Sequence, residues 1–139
     1  MFTARLFTAL SFTICTSIAF AAPAAPLTVD HSNTRLIDKS VALALWKEAQ
    51  TAKVVRLYPV ARWGFVSEVE GGFDDGKACI VTARAMMLPR SGKSLVFNPS
   101  RTATTFGMQA GATEDQCRVL AKAKLGEAIT ALYSVLAPH

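Results

Sequence analysis

Histidine is almost missing from this chain: its 139 residues include two, His31 near the start and His139 at the end. Neither stands where packed structure would hold an imidazole against a partner, which argues against a histidine base, a Ser-His-Asp triad or a histidine metal site. Charge is scarce as well. Asp, Glu, Lys and Arg together make 18% of the residues and 51% are hydrophobic, a balance that excludes an acidic or disordered chain. No Walker loop or dinucleotide fingerprint is present, and Gly71-Gly72 stands beside Asp74-Asp75, too acidic a setting to cradle phosphate. No repeat occurs, and low complexity is confined to an Ala/Pro stretch near the start. No catalysis, metal or cofactor is expected. The length suits a single domain.

One apolar run is long, and it comes first. Arg5 precedes a stretch from Leu6 to Phe20, and Ala19-Phe20-Ala21 has the small-x-small form of a cleavage site. Residues 1–21 therefore read as a secretory signal peptide, with periplasmic or secreted localisation after cleavage near Ala21. The run is shorter than the ~20 apolar residues of a spanning helix and is interrupted by hydroxyl side chains. Loss of Arg5 leaves 14 basic residues against 10 acidic ones. Cleavage also removes Cys15, leaving Cys79 and Cys117. Two cysteines in an oxidising compartment favour a disulfide, which the chain-entropy model values at about 4 kcal/mol.

The rest of the chain reads as one α+β domain over 34–139, preceded by a flexible lead-in at 22–33 containing Pro23 and Pro26. Leu36, Val41, Leu45, Ala49 and Ala52 repeat at mostly four-residue spacing and predict a helix over about 34–53, with Asp38 as a cap. Residues 54–59 read as extended, because Pro59 disfavours helical geometry at Tyr58. Trp63 to Glu70 alternates as a strand, and Asp75-Gly76 marks a tight turn. A second strand runs from Ala78 to Leu88, with Cys79, Val81, Ala83, Ala85 and Met87 on one face. A turn at Arg90-Ser91-Gly92-Lys93 leads to a third strand at 94–97, and 101–106 adds a fourth. Thr113-Glu114-Asp115-Gln116 has the capping-box form and opens a long helix with Cys117, Ala121, Leu125, Ala128, Leu132 and Val135 as its buried stripe. The expected architecture is an N-terminal helix, a three- to four-stranded antiparallel sheet and a long C-terminal helix.

One constellation goes beyond pattern. Ala52-Lys53 is followed after four residues by Tyr58-Pro59, then by Arg62-Trp63-Gly64-Phe65, and much later by Phe106-Gly107-Met108-Gln109-Ala110-Gly111-Ala112. These blocks resemble the SYLF lipid-binding family and bracket 52–112. The chain departs from that pattern in the spacing after Pro59, in Val66 to Glu70 where a Gly-rich run is usual, and in the capped helix that replaces an apolar strand after Ala112. The resemblance implies an exported, non-catalytic domain that binds an anionic phospholipid surface. Lys53 and Arg62 stand at family-like positions, and Arg56 is an addition of this sequence. Gly107, Gln109 and Gly111 read as a tight loop whose backbone approaches a neighbour or ligand closely.

The alternative is a small periplasmic inhibitor or immunity-type protein that blocks an envelope enzyme. In that reading an acidic protruding loop carrying Glu68, Glu70, Asp74 and Asp75 plugs a basic site. Glu68 and Glu70 on one strand face also suit a carboxylate pair, though a solvated strand face explains them better. No nucleic-acid partner is expected, since the cations are dispersed and the protein is read as exported.

Overall fold

The computed structural model describes residues 24–75 and 77–138. The expected signal segment lies outside them. The fold is α+β: β1 (Leu27–Asp30), α1 (Lys39–Ala49), α2 (Ala52–Leu57), β2 (Trp63–Phe73), β3 (Cys79–Ser91), β4 (Ser94–Leu95), β5 (Arg101–Gln109) and α3 (Glu114–Leu136). The five strands form one sheet. β2 pairs antiparallel with β3 along the whole length of β2, from Trp63↔Pro89 to Phe73↔Cys79. The other edge of β3 takes β5 from Cys79↔Gln109 to Met87↔Arg101, and then the short β4.

Several expectations are corrected. The stretch 22–33 is not wholly a lead-in, because β1 lies within it and pairs parallel with β2, making the sheet mixed. Ser67 is fully buried and its hydroxyl donates to Asp30 Oδ1 at 2.7 Å, while Ser32 donates to the same oxygen at 2.6 Å. This satisfied polar contact fastens the short strand. Next, the helix expected over 34–53 is shorter, and 54–59 is not extended. Gln50 and Thr51 take extended backbone, and Thr51 Oγ1 accepts from Val54 N at 3.2 Å to start α2. That cap recruits Val54 and Val55 into a helix that ends before Pro59. Asp38 occupies the N-cap position of α1, but its carboxylate accepts from Arg118 at 2.7 Å instead of capping. Third, β5 continues to Gln109, so Gly107 and Gln109 lie in a strand and Gly111 in the turn after it. Fourth, the buried stripe of α3 ends on Leu136; Val135 is 65% exposed, since a further four-residue step from Leu132 stays on the buried face.

α3 has its expected capping box, with Thr113 and Gln116 bonding reciprocally. α1 and α3 cover one face of the sheet. Between them Trp46, Phe65 and Tyr133 pack with ring centroids 5.2 to 5.7 Å apart. Each such ring contributes roughly 1.5–3 kcal/mol through burial and each pair about 0.5–1.5 kcal/mol more. Trp46 Nε1 is the one buried side-chain polar atom without a partner among the described residues. The Cys79–Cys117 disulfide joins the first residue of β3 to the first turn of α3, with Cα atoms 5.6 Å apart. Among the described residues no helix covers the opposite sheet face. It carries a smaller cluster of Val66, Met86 and Leu88, flanked by Val29 and Leu95. No helix among the described residues is long and apolar enough to cross a membrane.

Candidate functional site

The strand directions give the molecule two unlike ends. At one, β2 begins, β3 finishes, β5 begins and α3 finishes. α2 is tied there by the turn in which Arg62 N and Trp63 N both donate to Pro59 O. Lys53, Arg56 and Arg62, the three cations singled out in the sequence, all lie at this end and are exposed. The fold adds Arg90, Lys93 and Arg101. Arg90 N donates to Arg62 O at 2.8 Å, and its guanidinium donates to Val60 O and Gly92 O, each at 2.7 Å. Lys53 Nζ donates to the carbonyl of Pro138 beyond the end of α3. A cation there complements the negative end of the helix dipole.

Among the described residues, Glu48, in the last turn of α1, is the one Asp or Glu side chain placed toward this end. The ion pairs among the described residues, Arg84–Glu68, Arg118–Asp38 and Lys124–Glu127, all lie elsewhere. Apolar side chains stand exposed among the cations: Leu57 at 49%, Val96 at 46% and Phe97 at 75%. Val96 N donates to Pro89 O, and Pro89 pairs with Trp63, which sets the β4 hairpin beside Arg62. Beneath Phe97 a groove of about 350 Å³ runs over the helix-free face, lined by Leu27, Val29, Val66, Leu88 and Leu95 with Lys93 at its margin.

The acidic residues do not form the single protruding loop expected of them. Glu68 and Glu70 lie within β2 on the helix-free face, and Glu68 is engaged by Arg84 at 3.1 Å, its register partner on β3. Asp74 Oδ1 accepts from Ala78 N at 2.7 Å and holds the β2–β3 reversal. Gly76 lies outside the described residues. Asp74 and Asp75 nevertheless share the far end of the molecule with Glu114 and Asp115 of α3, beside a groove of about 660 Å³ bordered by Phe73, Arg35 and Arg118. No cluster of potential metal ligands occurs among the described residues.

The expected loop of Gly107, Gln109 and Gly111 is divided between β5 and a turn, but the close approach exists. A Cβ at Gly107 would stand 2.9 Å from Lys124 Cε and 3.0 Å from Leu120 Cδ1, so this glycine lets α3 settle on β5. Thr105 beside it donates to Lys124 O at 2.7 Å. Gly71, read from the sequence only as too acidic a setting for phosphate, is more constrained: with φ of +130°, its Cβ would lie 2.0 Å from Ile80 O. Arg90, Lys93 and Arg101 were also missed as site residues. Their convergence depends on the β3 register, which no local motif encodes.

No protein-family model matches the chain, and no curated protein matches it significantly. Among solved structures it is similar to a variant of the PelC dodecamer from Paraburkholderia phytofirmans. There the identity is 16%, coverage is 81% of this chain and 91% of that one, and the TM-score is 0.46. A second crystal form of the PelC dodecamer from the same organism gives 14% identity, 81% and 89% coverage, and a TM-score of 0.43.

Proposed function

We propose that this protein is an exported, non-catalytic phospholipid-binding protein, periplasmic or secreted after removal of residues 1–21, that docks its basic end on an anionic lipid surface. The observation that supports this most is the grouping of Arg56, Arg62, Arg90 and Lys93, none ion-paired among the described residues, around exposed Leu57, Val96 and Phe97. Cations give attraction of about 1 kcal/mol each near an anionic leaflet. The apolar side chains give insertion, worth roughly 1.5–3 kcal/mol for a fully buried Phe. Together these produce reversible, salt-sensitive attachment, with the groove beneath Phe97 open to the interfacial part of a lipid. The buried disulfide fits an oxidising compartment.

Co-sedimentation with vesicles tests this. The protein should pellet with anionic vesicles, less at high salt, and hardly with neutral ones; Arg56→Glu with Arg62→Glu should release it. Equal binding to neutral vesicles, or indifference to the double reversal, would refute the reading.

A second reading, an inhibitor of a basic envelope enzyme, draws on the acidic end, where Asp75, Glu114 and Asp115 are exposed. It expects reversal of Glu114 and Asp115 to abolish capture of that enzyme while vesicle binding persists.

A further inference from the structure

β5 is an open edge. Among the described residues it pairs only with β3, and no backbone group from Thr102 to Gln109 bonds to anything beyond that ladder. Edge strands are ordinarily guarded by proline, lysine, a bulge or a covering element. β5 itself has no proline, lysine or bulge from Thr102 to Gln109, its register with β3 is unbroken, and α3 packs on its helix-facing side at Gly107. Arg101 at its start is its only charged residue. On the helix-free face it also presents Phe106 and Met108, 62% and 63% exposed, beside Ile80.

We infer that β5 is a docking edge for β5 of a second copy of this chain, paired antiparallel about a two-fold axis. Charge decides both the occupant and the direction. β5 runs from the basic end, at Arg101, toward the acidic end, where Gln109 leads through a short turn to Glu114 and Asp115. Antiparallel pairing therefore sets the cations around Arg101 of each copy against the far end of the other, where Asp74, Asp75, Glu114 and Asp115 outnumber Arg35, Lys77 and Arg118. Parallel pairing would set like ends together, which opposes association. The complementarity is built from one surface used twice, as an isologous dimer requires. The two sheets join into one across the axis, and Phe106 and Met108 of both copies meet as cross-strand neighbours on a single face. The contact is one strand wide, so the dimer is concentration-dependent.

The test is sedimentation velocity on the purified, disulfide-bonded protein from about 1 µM to about 500 µM, without lipid, so that its outcome is independent of the vesicle experiment. Wild type should shift from monomer to dimer, more weakly at high salt. Thr104→Glu and Phe106→Lys each place a charge on the edge at an exposed position. Thr104→Glu also gains Arg84, its cross-strand partner, within its own chain. Each should weaken the dimer by about tenfold or more while circular dichroism and melting stay as in wild type. Oxidative cross-linking of single cysteines at 102, 104, 106 and 108 reads direction: antiparallel pairing gives a maximum at one position that declines on either side. A monomer throughout the range, a dimer unmoved by both charges, or equal cross-linking at all four positions would each overturn the inference.

Discussion

Replacing both Cys79 and Cys117 with alanine should remove a large share of the stability. The bond closes a loop with a sequence separation of 38, for which the chain-entropy relation gives about 4 kcal/mol. Both side chains are buried, at 0% and 1% exposure, so truncation also takes packed sulfur from the interior, adding about 1 kcal/mol. The sum is a third or more of the roughly 5–15 kcal/mol that holds a typical domain together. Urea unfolding followed by far-ultraviolet circular dichroism measures it. With a slope of about 1–3 kcal/mol per molar, the midpoint should fall by about 2–5 M. The bond joins the start of β3 to the first turn of α3, so amide exchange should accelerate first around residues 79–81, 107–109 and 114–121. A midpoint within about 0.5 M of wild type would refute the reasoning, since it would mean that packing alone holds α3 on the sheet.

Three further outcomes follow from the core and the turns. Burial pushes the Tyr133 phenol up to about 12 from its ordinary 10.0. The unfolded phenol ionises first, so stability is whole below pH 10 and declines as pH climbs toward 12; pH-dependent melting should show Tyr133→Phe declining less steeply there than wild type. Trp46→Ala should cost about 3–5 kcal/mol in urea unfolding. Trp46→Phe should cost far less, because it keeps an aromatic ring against Phe65 and Tyr133 and removes an unpartnered buried N–H. Gly71→Ala should be more damaging than Gly72→Ala, although both glycines have positive φ, because a Cβ at 71 meets the Ile80 carbonyl and one at 72 meets open space; thermal melting of the two variants compares them directly.

Much of the fold was legible because its signals are local and periodic. The capping box of α3, the alternation of β3 and the pair Cys79 and Cys117 each needed no knowledge of distant residues. β1 escaped notice because its four residues are all half-buried and give no contrast between faces. α2 escaped because Val54, Val55 and Pro59 favour extended backbone, and the Thr51 cap with burial of Val54 overrides them. The extra length of β5 was hidden by Gly107, which reads as a break and acts as a seat for α3. For the candidate site, the α2–β2 part was visible through the resemblance that marked Lys53 and Arg62. Arg90, Lys93 and Phe97 join it only through the hairpin at the end of β3, a tertiary relation.

The proposed docking of the basic end on lipid is tested most directly by an environment-sensitive dye at two positions. Phe97→Cys places the dye in the hairpin at the basic end; Val119→Cys places it on an exposed site in the second turn of α3, toward the acidic end. On anionic vesicles the emission of the dye at 97 should shift to the blue while that at 119 stays at its aqueous value. A blue shift at 119 with none at 97, or no shift at either position, would contradict the account.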